Sequence, residues 1–259
     1  GLIHTYPVLG QYEYLNNHLR DATSRFPDRL QRLISIKEAD LPENPVAIAE
    51  YVKGEVEAGG TAGLQFIPGF YYQGGHTEMW DRDKLRPFWD SVADLNLTVY
   101  FTLLGGVGTK AWKNDWNASY LEEQEALSRW MKLYPHLSAV ITHGFPWRAY
   151  ADKKAINLPE DLFDVFNSPQ CHLQLLIPIM LGNVWEYPWI EAESAIKKCV
   201  ERVGSERLIY GTDMPFLARF CTYKQSVDQF RTHCDFLTDS DRENILGKTA
   251  AKLMNIPQD

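Results

Sequence analysis

The sequence lacks a cluster of basic residues that could form a strongly positive surface. Its 259 residues carry 26 Lys and Arg against 34 Asp and Glu, a net charge of -8 at pH 7. Nucleic acids and anionic membranes attract clustered positive charge, so neither is an expected partner. No apolar run approaches the roughly 20 residues that span a bilayer, and no signal-peptide pattern opens the chain. We therefore expect a cytoplasmic protein that acts on a small molecule.

The sequence also has little cysteine. None of the four cysteines stands in a CxxC pair, which argues against a zinc knuckle or a disulfide framework and favours reduced thiols. Hydrophobic residues, by contrast, make up 45% of the chain and aromatic residues 13%, enough to bury a large core. We predict a single domain spanning residues 1–259.

Short apolar runs alternate with stretches of helical spacing along the chain. Because strands joined by helical crossovers form parallel sheets, this order predicts an α/β fold. The seven predicted strands are one short of a closed barrel, so we expect a (β/α)₈ TIM barrel whose first strand would precede residue 1. A seven-stranded doubly wound sheet is the alternative. The predicted strands are residues 2–6, 30–36, 63–67, 98–103, 137–142, 172–177 and 208–210.

Two strand exits carry the residues most typical of an active site. His143 follows the predicted strand at 137–142, and Asp213 follows the strand at 208–210. In parallel barrels the loops at the carboxyl ends of the strands build the active site, so both side chains are candidate catalytic residues. An imidazole and a carboxylate can relay protons or bind a divalent metal. The alternatives are a helix-capping Asp213 and a buried His143 satisfied by the backbone.

Other polar residues near the predicted mouth are candidates for binding substrate. Arg148 could pair with a substrate carboxylate through two hydrogen bonds. Glu186 lies in an aromatic stretch after the strand predicted at 172–177, and His4 ends the first predicted strand of this chain. The long segment 68–76 is rich in aromatic residues and glycine, which suits a loop that folds over a pocket.

Four segments of the sequence resemble the amidohydrolase-related metal-dependent hydrolases. The resemblance is to the branch that contains aminocarboxymuconate-semialdehyde decarboxylase and the aromatic-acid decarboxylases, and it spans nearly the whole chain. The segment around Asp213 is the most specific. The four segments are Phe26-Pro27-Asp28-Arg29, Ala139-Val140-Ile141-Thr142-His143-Gly144, residues 207–215, and residues 245–253.

The resemblance implies a divalent metal, zinc or manganese, with Asp213 as a ligand and His143 as the catalytic histidine. It also implies a homodimer. The sequence departs from the family pattern at two places: the ligand pair of the first strand is not in this chain, and Thr102 stands about where a ligand histidine is expected. A threonine hydroxyl is a poor zinc ligand compared with imidazole.

These features predict an enzyme that hydrolyses or decarboxylates a small carboxylate-bearing substrate. The aromatic segments near the mouth favour an aromatic or unsaturated one. The alternative is a metal-free pseudoenzyme or small-molecule binding protein on the same barrel, which Thr102 motivates.

Overall fold

The computed structural model describes residues 1–6, 10–103 and 116–257. The chain forms two compact units, Gly1–Ala139 and Val140–Asp259. The prediction of a single domain is not tested by this division and stays a prediction.

The first unit contains four parallel strands that pair in chain order. Leu64 on the third strand is aligned with Val99 on the fourth, and the Val99 amide donates to the carbonyl of Ser138, just before the fifth. The strands are β1 (Leu2–Ile3), β2 (Gln31–Ser35), β3 (Thr61–Phe66) and β4 (Val99–Phe101).

Helices connect these strands, as a parallel sheet requires. Helix α2 begins with a proline, whose fixed φ suits the first helical turn. The α-helices of the unit are α1 (Tyr12–Arg25), α2 (Pro45–Glu57), α3 (Pro68–Gln73), α4 (Arg86–Asp94) and α5 (Trp116–Leu133). Short 3₁₀ helices form at Glu38–Asp40 and Asp83–Leu85.

An aromatic cluster fills the space between these strands and helices. Phe66 of β3 and Phe101 of β4 lie against Trp89 of α4 and Trp130 of α5, and all four side chains are buried. The Phe66 and Trp89 rings meet edge to face with centroids 5.0 Å apart, as do Phe101 and Trp130 at 5.1 Å. Burying side chains of this size supplies much of the hydrophobic stabilisation of the unit.

The segment that follows β3 is more ordered than the sequence predicts. Residues 68–73 form helix α3 rather than a loop, with Pro68 in its first turn. The amide of Ile67 donates to Oε1 of Glu38 at 3.0 Å, and His76 Nε2 lies 2.7 Å from the carbonyl oxygen of Ala39. Both ends of the segment are therefore held by the 3₁₀ helix after β2.

Glu38 is a buried acidic residue of this unit. Its side chain is 1% exposed, and its second oxygen, Oε2, has no hydrogen-bond partner among the described residues. Burial raises the pKa of Glu38 from 4.5 to about 8, although the backbone amides of Glu38 and Ile67 act in the opposite direction. Burial therefore favours the neutral form of this carboxyl group in the folded protein at pH 7.

We expect Glu38→Gln to stabilise the protein increasingly as pH rises from 4.5 to about 8. Above 4.5 the unfolded chain releases this proton while the folded chain retains it, so the wild-type carboxyl group destabilises the fold progressively. Near pH 7 the gain should be on the order of 3 kcal/mol. Urea unfolding at pH 5 and pH 8 measures it.

The exposed Glu50 on α2 provides the matched control for this measurement. Glu50→Gln makes the same chemical change at an exposed position, so it reports the effect of the substitution itself at each pH. A constant difference for Glu38→Gln across the two pH values would show that the buried carboxyl group is ionised.

The second unit contains the end of β5 (Ala139–Ile141), β6 (Cys171–Leu175) and β7 (Leu208–Tyr210). β6 and β7 are parallel, with Gln174 aligned with Ile209. The α-helices are α6 (Ile177–Leu181), α7 (Glu193–Val203), α8 (Tyr223–Asp228), α9 (Asp239–Glu243) and α10 (Thr249–Leu253). The 3₁₀ helices are Trp147–Tyr150, Glu160–Asn167, Ile190–Ala192, Ser205–Arg207 and Phe216–Arg219; π-helical turns form at Gln229–His233 and Asn244–Lys248.

Arg207 anchors the start of β7. Its guanidinium group donates to the carbonyl oxygens of Val203 and Phe166, each at 2.8 Å. These bonds tie the strand to the end of α7 and to the 3₁₀ helix before β6. They give the arginine of the segment 207–215 a structural role.

The described residues contain all seven predicted strands, most of them shorter than predicted. The four cysteines are free thiols, as expected. None of the helices in the described ranges combines the length and apolarity needed to cross a membrane.

Candidate active site

His143 lies two residues beyond the end of β5 and is half-buried. Its Nδ1 atom is 3.2 Å from the hydroxyl oxygen of Thr142, and its carbonyl oxygen accepts a hydrogen bond from the indole of Trp147 at 2.9 Å. The Trp147 ring lies so close to Gly144 that a Cβ there would be 2.6 Å from it. The exit of β5 is therefore closely packed, and these contacts hold the backbone of His143 in place.

Asp213 lies three residues beyond the end of β7 and is also half-buried. Its backbone carbonyl accepts from the amides of Phe216 at 2.8 Å and Leu217 at 3.4 Å. Its carboxylate does not cap the 3₁₀ helix at 216–219, and the N-terminus of α8 is capped by the side chain of Thr222, which accepts from the amide of Gln225. The helix-cap alternative for Asp213 is therefore wrong.

The carboxylate of Asp213 makes no hydrogen bond or ion pair with any of the residues that the structure describes. A half-buried carboxylate at a strand exit, with no partner among the described residues, can contact a ligand. This is the environment expected of a group that binds or exchanges protons with a small molecule.

Both candidate residues have a left-handed backbone. The φ angle is +64° at His143 and +50° at Asp213. Residues other than glycine rarely adopt positive φ, although His, Asp and Asn do so more often than most. Such strained positions concentrate at active sites, because the surrounding fold holds them for function. Asn96, Trp189 and Asn255 also have positive φ, so this conformation supports the two residues predicted from the sequence without singling them out.

β6 runs between the strands that deliver His143 and Asp213, and its Gln174 was missed by sequence reasoning. The Gln174 Oε1 atom accepts a hydrogen bond from the backbone amide of His143 at 3.0 Å. The signal was present: Gln174 is a single polar residue between Leu173 and Leu175 in an otherwise buried strand. Polar side chains in buried strands usually have a specific partner.

The predicted substrate-binding residues lie in different places. Arg148 is exposed, and its guanidinium group donates to the carbonyl oxygen of Met180 at 2.6 Å and to the side chain of Asn183. Glu186 is exposed in the segment after α6. His4, in the first unit, is exposed, with its Nδ1 atom 3.4 Å from Gln65 Nε2. Their substrate-binding roles stay predictions.

The described residues do not provide a complete metal site. Within residues 1–6, 10–103 and 116–257, no group of three or more His, Cys, Asp or Glu side chains is arranged to hold a metal ion. Thr102 is buried, and its amide donates to the carbonyl oxygen of Phe66. Protein zinc sites use at least three strong donors, so Asp213 could serve as one ligand, but the described residues alone do not complete such a centre.

Comparisons with known proteins agree with the fold. The family model described as amidohydrolase matches residues 7–256. Comparison with curated proteins gives no match. Solved structures, however, are similar over almost the whole chain.

One similar structure is a probable 2-pyrone-4,6-dicarboxylic acid hydrolase from Acinetobacter baumannii with citric acid bound. It is 17% identical, with a TM-score of 0.69 over 98% of this chain and 83% of that chain. The 2,6-dihydroxybenzoate decarboxylase from Rhizobium is 17% identical, with a TM-score of 0.68 over 95% and 77%. A dihydroxybenzoic acid decarboxylase from a Polaromonas species, with bound manganese and the inhibitor 2-nitroresorcinol, is 18% identical, with a TM-score of 0.67 over 96% and 76%.

These similarities confirm the predicted fold class. The described strands and helices fit a (β/α)₈ barrel that lacks one strand. In barrels of this kind the carboxyl ends of the strands carry the active site, and both His143 and Asp213 stand at such ends.

Proposed function

The chain belongs to the amidohydrolase family and is an enzyme of that family, and we propose that it cleaves a small carboxylate-bearing substrate, aromatic or unsaturated, with His143 and Asp213 as catalytic residues. The family resemblance read from the sequence is thereby confirmed. The proposed site rests mainly on one observation: both residues adopt the left-handed backbone conformation at the exits of strands on either side of β6.

Hydrolysis of an ester or lactone is the reaction for which His143 and Asp213 need the fewest additional catalytic groups. His143 takes a proton from water while the water oxygen attacks the acyl carbon, and the carbonyl electrons move onto oxygen. When that intermediate collapses, the C–O bond breaks and the imidazolium returns its proton to the leaving oxygen. Asp213 stabilises the imidazolium through its negative charge. The products are a carboxylic acid and an alcohol.

Decarboxylation is the second candidate, which the similarity to two decarboxylases of hydroxybenzoates favours. Protonated His143 would donate its proton to the ring carbon that bears the carboxylate. The bond between that carbon and the carboxylate then breaks, its electrons restore the aromatic ring, and carbon dioxide leaves. Hydrolysis and decarboxylation both need proton transfer by His143, so the two reactions would use the same residues.

For the metal, we keep Asp213 as the proposed ligand of zinc or manganese, since the Polaromonas decarboxylase holds manganese. The other ligands would come from outside the described residues, and the steps above do not pass through the metal. Metal content measured on purified wild type and on Asp213→Asn tests the assignment. Loss of a stoichiometric metal in the variant supports Asp213 as a ligand, whereas equal metal in both proteins contradicts it.

We expect turnover of at least one small carboxylate-bearing substrate. The protein is incubated with hydroxybenzoates and, separately, with lactones and esters that carry a carboxylate, while carbon dioxide and acid release are recorded. Release of acid from a lactone or ester without carbon dioxide supports hydrolysis, and carbon dioxide from a hydroxybenzoate supports decarboxylation. Turnover that is unchanged in both Asp213→Asn and His143→Asn would contradict the proposed site.

Arg148, Glu186 and His4 remain proposed substrate-binding residues. Arg148 already donates to Met180 and Asn183, so a substrate carboxylate would use its remaining donors. A homodimer and a cytoplasmic location also stay predictions.

A further inference from the structure

We propose that Gln174 is a positioning residue that sets the distance and orientation between the strand exits carrying His143 and Asp213. The inference rests on the proposed function, since it assigns a role within that site. Gln174 touches neither water nor substrate in the proposed chemistry. It acts through the two catalytic residues.

The first observation is the bond between Gln174 and His143. β5 ends at Ile141, so the amide of His143 lies beyond the regular strand. The side-chain oxygen of Gln174 accepts from this amide at 3.0 Å. A backbone donor in a half-buried position needs such a partner. Because a side chain of the neighbouring strand supplies the partner, the left-handed turn at His143 is tied to β6.

The second observation is the close approach of Gln174 to the exit of β7. A Cβ placed on Gly211 would lie 2.4 Å from Nε2 and 2.7 Å from Cδ of Gln174. Gly211 does not have a left-handed φ, so glycine is required here for space and not for backbone conformation. The amide of Gly211 donates to the carbonyl oxygen of Leu175, which holds this backbone against β6.

Together, these contacts place one side chain against both strand exits. Its amide oxygen holds the His143 backbone, and its amide nitrogen and carbon lie against Gly211, two residues before Asp213. A change in the length or position of Gln174 should therefore alter the placement of both catalytic groups. Small displacements of catalytic groups reduce turnover strongly because the reacting atoms must meet in a defined geometry.

A double-mutant cycle between Gln174 and Gly211 tests this coupling. Gly211→Ala inserts a methyl group where the Gln174 amide lies, so it should displace that side chain and lower kcat on the order of ten-fold with little change in KM. Gln174→Ala removes the side chain that this methyl group would contact. Adding Gly211→Ala to it should therefore lower kcat almost no further. If the losses in kcat of the two single variants add in the double variant, the proposal is wrong.

Two replacements of Gln174 separate positioning from simple packing. Gln174→Met keeps the length of the side chain but loses the acceptor, whereas Gln174→Glu keeps an acceptor for the His143 amide. We expect faster hydrogen exchange of the His143 amide and a lower kcat in the methionine variant, and recovery of both in the glutamate variant. Equal exchange in wild type and the methionine variant would contradict the proposal.

Gly247→Ala is the matched control, because a Cβ on that glycine meets no atom within 4 Å. It should leave kcat and the exchange of the His143 amide unchanged. Melting temperatures of all variants show whether each remains folded. The exchange measurement requires no turnover, so it can still decide the role of Gln174 if no tested substrate reacts. Absence of turnover, together with the expected difference in His143 amide exchange between wild type and the methionine variant, would count against the proposed function alone.

Discussion

Asp213→Asn is expected to reduce kcat by about 10²–10⁴-fold while leaving the melting temperature nearly unchanged. The substitution keeps the shape of the side chain and removes its negative charge. Asparagine, like aspartate, adopts the left-handed backbone that this position requires, at φ +50°. Steady-state kinetics and thermal unfolding on the same preparation measure the two quantities.

The stability half of this prediction follows from the hydrogen bonds around Asp213. Its backbone carbonyl accepts from the amides of Phe216 and Leu217, so the turn itself does not use the side chain. A capping side chain would have contributed about 1 kcal/mol. Retained turnover together with a lowered melting temperature would instead assign Asp213 a structural role. Thr222→Ala, which removes the capping side chain of α8, is the matched control for such a loss.

His143→Asn should likewise lower kcat by about 10²–10⁴-fold, because it removes the imidazole that exchanges protons in the proposed reaction. Asparagine is chosen because it enters the left-handed region more readily than most residues, and His143 has φ +64°. The backbone amide that donates to Gln174 is retained in the variant. Kinetics at several pH values, with melting temperatures, provide the measurement.

His143→Ala serves as the comparison for backbone strain. Both variants lack the imidazole and should lose activity equally, but alanine is less suited to positive φ and should unfold at a lower temperature. If the asparagine variant kept wild-type turnover, proton transfer would have to be assigned to another residue. If only the alanine variant lost activity, the loss would come from the backbone and not from the imidazole.

The element order could be predicted from the sequence because it depends on local spacing. Apolar runs such as Leu208–Tyr210 were bounded by charge and glycine, and helical periodicity separated one run from the next. Helix α3 was not predicted, because its aromatic and glycine-rich sequence is equally typical of a loop. It packs next to the 3₁₀ helix at 38–40, a partner distant in sequence.

The sequence by itself determined the alternation of strands and helices, the family, and the position of His143 and Asp213 at strand exits. These properties follow from short-range patterns, since a strand, its breaker and the next polar residue are neighbours in the chain. Only the tertiary structure decided that Asp213 is not a helix cap, that Glu38 is buried and its pKa raised, and that Gln174 reaches both strand exits. Hydrogen-bond partners and burial depend on residues far apart in sequence, which no local pattern contains.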